Sequence, residues 1–163
     1  MIRLDINTSP ISARLDRAAD VLEDLTPVHH AIGEYMVEAT RQRFLRGEAP
    51  DGTRWQPKKP ATIARYRARG DGSRPNPLIG PSERLGREIA MFAGRDAVEL
   101  GSALEYSGVM QGGAAKGAFG ADKAGRPLPW GTIPARVWLG ISDTDERNIL
   151  DIVDEHLAEA IGD

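Results

Sequence analysis

The three histidines are the first residues whose side chains could do chemistry, either as metal ligands or as general bases. His29 and His30 are adjacent, and His156 stands close to the end of the chain. Neighbouring side chains on a helix point about 100° apart, so the adjacent pair cannot converge on one metal ion. No HExxH spacing accompanies them. We therefore interpret them as surface or half-buried helix residues, and no metal site is expected.

Nucleophilic and acid–base catalysis also lack a candidate. The chain has no cysteine, which removes thiol nucleophiles, disulfides and thiolate zinc sites together. No G-x-S-x-G nucleophile elbow occurs, and the glycines around Gly112 lack the Lys-Ser/Thr ending of a phosphate loop. No carboxylate stands in an apolar context that would raise its pKa for acid–base work. The sequence therefore predicts neither a catalytic site nor a cofactor.

Charge is strongly segregated along the chain, although the net charge is only −3. One acid, Asp71, stands among the cations of residues 54–74, which are Arg54, Lys58, Lys59, Arg65, Arg67, Arg69 and Arg74. After Ser142 a single Arg147 faces eight acids, which are Asp143, Asp145, Glu146, Asp151, Asp154, Glu155, Glu159 and Asp163. Such polarity can steer copies of one protein into head-to-tail contact, although two solvated faces would leave the same pattern.

The candidate contacts with another subunit or a partner come from these two segments and, for Arg136, from the stretch between them. They are Trp55, Lys58, Lys59, Arg65, Arg136, Asp151 and Glu155. Trp55 follows the Asp51-Gly52 turn and can fold back as a large apolar anchor; a place in the core between helix and sheet is favoured over a partner contact. Arg136 could pair with an acid across a subunit boundary or within its own chain, and both alternatives stay open.

Nucleic-acid binding is the alternative function that residues 54–74 suggest. Their lysines and arginines could neutralise phosphates, while Trp55 and Tyr66 could stack on bases. However, no helix-turn-helix, zinc or RNA-binding motif accompanies them, and the negative net charge argues against general affinity for nucleic acid. Nucleic acid is therefore not expected to be the main partner.

A chain of 163 residues fits a single domain, residues 1–163, with a sizeable core. The start, MIRLDINTSP, has no apolar signal-peptide region, and no apolar run is long enough to span a bilayer. With the lack of cysteine, these features favour a bacterial cytoplasmic or phage protein without membrane contact.

Helical periodicity dominates the first part of the chain. Residues 12–45 are predicted to be helical, with a break at Pro27, a cap by Thr26 on the second half, and an end at Gly47. The apolar positions that predict the helix are Ile11, Leu15, Ala18, Leu22, Leu25, Val28, Ile32, Tyr35, Met36 and Ala39. A loop over residues 47–59 and a short helix over residues 61–69 should follow.

The remainder predicts an α+β domain with a long N-terminal helix, a small antiparallel β-sheet with long flexible loops, and a C-terminal helix. Residues 70–81 and 112–129 are the loops. Strand candidates are Glu88–Phe92 and Ala97–Gly101, which have hairpin spacing, and a third at Ile133–Ile141.

The final helix should begin at a capping box of Asp143 and Glu146 and reach about Ile161. Trp130 and Trp138 flank the third strand candidate and should pack against this helix. The expected apolar stripe of the helix is Leu150, Val153, Leu157 and Ile161.

An ordered set of short motifs resembles the phage virion morphogenesis family, the tail-completion proteins of Mu-like and related contractile-tailed phages. The set begins with Phe44, Gly47, Pro50-Asp51-Gly52, Trp55-Gln56-Pro57 and Thr62. It continues with Leu85, Gly101-Ser102, Tyr106, Gln111-Gly112-Gly113, Ile133-Pro134-Ala135-Arg136 and Leu139-Gly140-Ile141-Ser142. Each motif alone is common, but their order and intervals are specific over about residues 30–161.

The resemblance implies a non-enzymatic component that acts late in virion assembly. Such a protein would complete the tail and help join it to the head, at the tail terminus or the neck. The expected partners are further copies of the chain in a closed ring, the tail tube or tail terminus, and neck or head-completion proteins. The expected location is the cytoplasm of the bacterial host during assembly, and later the tail or neck of the virion.

Overall fold

The computed structural model describes residues 9–162, and within them the side chains of Pro10, Ile11 and Val21 lie outside the description. The predicted α+β class is confirmed. The elements are α1 (Ser9–Glu23), α2 (Thr26–Arg46), α3 (Pro60–Ala68), α4 (Arg84–Arg87), β1 (Ala90–Ala93), β2 (Val98–Gly101), α5 (Ser107–Gly112) and α6 (Asp143–Ile161). No helix in the described range is long and apolar enough to cross a membrane.

The predicted helix of residues 12–45 is broken into α1 and α2 ahead of Pro27, as expected. The predicted cap by Thr26 is wrong, because Thr26 is the first residue of α2 and its own N–H donates to Asp24 Oδ1 at 2.9 Å. The other end is confirmed. Gly47 adopts a left-handed conformation with φ of 71° and donates its N–H to the Arg43 carbonyl.

Helix α2 lies at the centre of the fold. Val28, Ile32 and Met36 form a buried stripe, spaced one helical turn apart, that contacts the β-hairpin on one side and α6 on the other. The hairpin is antiparallel as predicted, with Ala90 opposite Gly101. The side chains from the hairpin and α6 that pack on this stripe are Val98, Leu100, Ile149, Ile152 and Val153.

A second cluster of buried side chains surrounds the C-terminal end of α2. Phe44 contacts the Trp55 ring edge-on at a centroid distance of 5.4 Å and the Trp138 ring at 5.9 Å. Leu85 and Ile89 complete the cluster. Trp138 therefore packs near the end of α2 and away from α6, and Trp130 is 61 % exposed, so the prediction that both tryptophans pack on the final helix is wrong.

The predicted third strand at Ile133–Ile141 is also wrong. The segment pairs only through an isolated bridge between Ala114 and Ile133. Pro134 has no N–H, and the following backbone groups bond to a side chain where a strand would bond to a neighbour. Gln111 Oε1 accepts from the N–H groups of Trp138 and Leu139, and its Nε2 donates to the Leu139 carbonyl at 2.8 Å.

Helix α6 has the predicted kind of start, one residue earlier. Ser142 is the N-cap and Asp145 closes the capping box, so the predicted pair of Asp143 and Glu146 is wrong. The predicted apolar stripe is partly wrong as well, because Leu150 is 57 % exposed and Ile149 and Ile152 face the core. Asp145 is buried on the same side of α6 as Ile149 and Ile152, so the buried face differs from the predicted stripe.

The peripheral segments are held by fewer apolar contacts. Helix α1 packs against α6, and Arg17 donates to the Ala160 carbonyl at 3.2 Å. Leu15 and Leu22, predicted as part of an apolar stripe, are exposed. The predicted loop 70–81 has no helix or strand, and the predicted loop 112–129 has none after Gly112, which is the last residue of α5; backbone bonds shape this second loop, as between Phe119 and Leu128.

Candidate binding surfaces: a basic cleft and an acidic helix face

An open cleft of about 740 Å³ lies between α3, the segment 78–85 and the segment 130–136. Its five cationic lining residues are Lys58, Lys59, Arg65, Arg84 and Arg136. Its apolar lining residues are Leu78, Leu85, Met110 and Ile133, and its aromatic ones are Tyr66, Tyr106 and Trp130. The one acid in the lining, Glu83, is engaged by Arg74 at 2.7 Å and Arg87 at 2.7 Å. Four of the seven predicted contact residues therefore meet at one site.

Lys58 organises one wall of the cleft. Its ammonium group donates to the carbonyls of Arg74 and Ile79 and lies 5.0 Å from the centroid of the Tyr66 ring. Burial lowers the pKa of Lys58, and the positive charges of Arg74 and Arg136 lower it further. Lys58 therefore ties the segment 74–79 to α3 and supplies charge to the cleft.

Arg136 brings a buried positive charge to the same cleft. Arg136 is only 9 % exposed. Its Nε donates to the Gln56 carbonyl at 2.8 Å, and its Nη2 points at the Pro57 carbonyl. No carboxylate of the described chain forms an ion pair with it. The intramolecular salt bridge considered for Arg136 therefore has no partner among the described residues. Burial lowers the pKa of the guanidinium, as expected for a cation without an acid beside it.

Lys59 and Arg65 are the exposed cations of the cleft. Neither forms an ion pair with a described carboxylate, so both are available to an anionic partner. The exposed Trp130 stands near them, and its ring is covered on one side by the Arg126 guanidinium at 4.9 Å. The sequence analysis missed Trp130 and Tyr106 as parts of this site, because only their exposure distinguishes them from core aromatics.

The acidic residues of α6 form a separate surface. Asp151 and Glu155 are exposed, one turn apart, and no α6 residue lines the basic cleft. Leu150 lies among the acids, with Glu146 and Asp154 one turn away on either side. In the described range the only cation of α6, Arg147, bonds to the Asp143 carbonyl and the Thr144 hydroxyl. Among the described residues, therefore, no ion pair neutralises the carboxylates of this face.

Trp55 lies apart from both surfaces. The residue is 6 % exposed, and its indole N–H donates to the Val137 carbonyl at 2.8 Å. The interpretation of Trp55 as a core residue is confirmed. Its packing joins the loop after α2 to the segment of residues 133–141, and it leaves almost no side-chain surface for a partner.

A buried ion pair between Arg43 and Asp145 escaped the sequence analysis. Arg43 donates to Asp145 and to the Gly140 carbonyl, and Tyr35 donates to the same carboxylate at 2.9 Å. Burial alone would raise the pKa of Asp145, but hydrogen bonds from Ser142 and Tyr35 and the charge of Arg43 hold it below its ordinary value. The pair is structural, since it fixes the start of α6 against α2.

The histidines occupy separate positions. His29 Nδ1 lies 2.7 Å from the Gly94 carbonyl, His30 lies 3.6 Å from Glu34 one turn along α2, and His156 Nδ1 lies 2.8 Å from the Ile152 carbonyl. Among residues 9–162, no group of three histidine, aspartate or glutamate side chains is placed to hold a metal ion.

Comparison with known proteins agrees with the motif pattern. The profile of the phage virion morphogenesis family matches residues 6–158. The chain belongs to this family. The chain is also similar to a protein described as putative capsid assembly protein G of Escherichia phage Mu, with 26 % identity over 162 residues that cover 97 % of each chain. No solved structure matches it.

The motifs of this phage virion morphogenesis chain are mainly structural. Asp51-Gly52 forms a turn in which Gly52 has φ of 79° and Asp51 Oδ1 accepts from the Thr53 N–H at 2.9 Å. Gly113 has φ of 73°, and a Cβ there would lie 2.7 Å from the Ala135 nitrogen. The Q-G-G and I-P-A-R motifs therefore contact each other directly, which explains why both occur in one sequence.

Proposed function

We propose that this protein completes the tail of a contractile-tailed phage or prophage and helps join the tail to the head. The observation that carries the proposal is family membership over nearly the whole chain, together with the similarity to a Mu protein whose name refers to virion assembly. A role in virion assembly follows from these findings. The position at the tail terminus or neck is the finer part of the proposal, and it rests on the motif pattern.

Self-association into a ring is the second part of the proposal. The chain carries two separate surfaces of opposite charge, and contact between unlike surfaces propagates from subunit to subunit. A tail is rotationally symmetric, so a head-to-tail contact at its end can close by rotation. The expected partners are further copies of the chain, the tail tube or tail terminus, and neck or head-completion proteins.

We infer that the protein acts without catalysis. Each described carboxylate whose pKa departs from its ordinary value has a lowered pKa, so none of these groups is held protonated for use as a general acid. These carboxylates are Asp24, Asp51, Glu83, Glu88, Asp122 and Asp145. Zymography on peptidoglycan with the purified protein should show no clearing, whereas a clear band that a catalytic-carboxylate substitution removes would contradict this inference.

Inactivation of the gene in a producing phage tests the proposed step. Electron microscopy of the lysate should show filled heads and tails that are separate, and purified protein added to that lysate should restore joined particles. Absence of formed heads would instead favour a role in capsid assembly, the process named for the Mu relative. Normal virions in the mutant lysate would remove the proposal.

Nucleic-acid binding stays the alternative, because exposed Trp130 and Tyr106 lie beside Lys59 and Arg65 in the cleft. Cations with stacking aromatics are the usual elements of a single-strand binding groove. Fluorescence anisotropy with a labelled single-stranded DNA oligonucleotide tests this alternative. Tight, steeply salt-dependent binding would support it, and weak binding at all salt concentrations would exclude it.

A further inference from the structure

From the geometry of the two charged surfaces we infer that the basic cleft of one subunit binds the exposed face of α6 from a second copy of the chain. Leu150 is the apolar anchor of this contact, and the surrounding carboxylates face the cations of the cleft. The inference rests on the proposed self-association and specifies which surfaces meet.

The cleft has the composition of a docking site for an acidic, partly apolar element. Its lining combines five cations with the half-buried apolar side chains of Met110 and Ile133 and with the exposed rings of Trp130 and Tyr106. A central apolar anchor within a polar rim is the usual composition of a specific protein interface. A surface that only attracts negative charge would not need these apolar side chains.

Arg136 is the strongest sign that an anion occupies the cleft. The residue is only 9 % exposed, its guanidinium is bonded to backbone carbonyls, and no described carboxylate lies within ion-pair distance of it. A buried cation without an opposite charge is costly, and the cost falls when an anion binds beside it. A carboxylate of a second subunit, bound in the cleft, would supply the negative charge opposite Arg136.

The α6 face has the complementary composition. Asp151, Glu155 and Glu159 follow one another at four-residue spacing, where like charges on a helix repel. Glu159 also lies in the last turn, where the helix dipole disfavours negative charge. These acids do not stabilise the isolated helix, so we infer that they act in contact with a partner. A cationic partner relieves both the repulsion between the acids and the unfavourable interaction with the helix dipole.

Leu150 adds an exposed apolar side chain at the edge of this acidic face, about 100° around the helix from Asp151. It is 57 % exposed and stands between Glu146 and Asp154, one turn before and one turn after it. The exposed part of the Leu150 side chain would pack against the apolar side chains that line the cleft of the second copy. Because no α6 residue lines the cleft of its own chain, the contact joins two copies through unlike surfaces.

Nucleic acid fits the same cleft less well. A polyanion would approach a chain of net charge −3 whose acidic α6 stays exposed, and it would leave Leu150 without a partner. Two of the cleft cations are already bonded within the chain, namely Lys58 and Arg84. Only Lys59 and Arg65 are exposed without a described ion pair, which is few for a phosphate-binding groove.

Charge reversal tests the inference. The cleft variant combines Lys59→Glu with Arg65→Glu, and the helix variant combines Asp151→Lys with Glu155→Lys. Each should weaken self-association at low salt by about tenfold or more, measured by sedimentation velocity over a concentration series. The variant with all four changes should recover self-association, and an equimolar mixture of the cleft and helix variants should form mixed dimers.

The matched control combines Arg67→Glu with Arg69→Glu. It changes the net charge by the same amount at two exposed positions near the cleft, and neither residue lines the cleft. Self-association should stay within about twofold of the wild type. Leu150→Ser is a second, uncharged variant and should weaken association without a change in salt dependence. Circular dichroism checks that each variant folds.

Several outcomes would overturn the inference. If the wild-type protein self-associates and the cleft and helix variants behave as it does, another surface makes the contact, while the proposed role in joining stands. If the cleft variant loses binding to single-stranded DNA but keeps self-association, the cleft binds nucleic acid. A wild-type protein that is monomeric at every salt and concentration, with tail-tube protein present, would contradict both the inference and the ring.

Discussion

Arg43 and Asp145, which are 102 residues apart in the sequence, form the one ion pair of the described chain in which both side chains are about 95 % buried. Arg43 comes from the last turn of α2, and Asp145 from the first turn of α6. The same carboxylate accepts the N–H and hydroxyl of Ser142 at 2.7 and 2.6 Å. One carboxylate therefore both caps α6 and joins it to the central helix.

Removal of either partner of this pair should strongly destabilise the fold. Arg43→Leu leaves a buried carboxylate without its cation, and the expected loss in free energy of unfolding is about 3–5 kcal/mol. The double variant Arg43→Leu/Asp145→Asn should lose less than the sum of the single variants. Urea unfolding measures all three. Arg41→Leu, an exposed change on the same helix, is the control and should shift the free energy by less than about 0.5 kcal/mol.

Asp145 should also govern part of the acid sensitivity. Its folded-state pKa lies below the ordinary value of 3.8, so its contribution to stability is complete above that value and is lost as pH falls through the lower folded pKa. The wild-type protein should therefore lose stability below about pH 4 more steeply than Asp145→Asn. Thermal unfolding at pH values from about 2 to about 6 measures the difference in stability between the two proteins. Parallel acid limbs for the two proteins would contradict this assignment.

The two glycines of the Q-G-G motif should differ sharply in tolerance. Gly113 has a positive φ, and a Cβ there would meet the Ala135 nitrogen and the Ile133 carbonyl oxygen at 2.7 and 2.8 Å. Gly113→Ala should therefore cost about 2–4 kcal/mol, since backbone must move. Gly112→Ala meets no atom within 4 Å and should be neutral or stabilising. Equal stability of the two variants would show that the 133–135 segment is not packed on Gly113.

The helical part of the fold could be predicted because its signals are local. Pro27 removes a helical N–H and Gly47 adopts a positive φ, and both ends of α2 follow from these residues alone. The hairpin could also be predicted from a local signal, namely the apolar residues on both sides of the turn at Gly94. The positions of Arg43 and Asp145 could not be predicted, because no local pattern links residues that meet only through the packing of two helices.

The error at residues 133–141 has a different cause. The apolar residues there suggest a strand, but periodicity does not reveal the partner of the backbone groups. That partner is the Gln111 amide, which presents one acceptor and one donor as a neighbouring strand would. The basic cleft was partly predictable. Charge composition indicated Lys58, Lys59 and Arg65, whereas the exposure of Trp130 depends on the tertiary structure.

The tryptophans separate folding from assembly. Trp55→Ala should cost about 3–5 kcal/mol, because the ring fills the cluster around Phe44 and its N–H bonds to Val137. Trp130→Ala should leave stability nearly unchanged, since the ring is largely exposed, and should weaken self-association. Differential scanning fluorimetry and sedimentation velocity give the two readouts. A folding defect in Trp130→Ala, or normal stability in Trp55→Ala, would reverse these assignments.

The joining of separate heads and tails in vitro tests the central claim most directly. Extracts from a phage that lacks the gene supply both particles, and plaque-forming units after addition of purified protein measure the joining. The wild-type protein should restore infectivity by several orders of magnitude, and the Lys59→Glu/Arg65→Glu variant should restore far less than the Arg67→Glu/Arg69→Glu control. Extracts that hold intact heads and tails but gain no infectivity from the wild-type protein would contradict the proposed role.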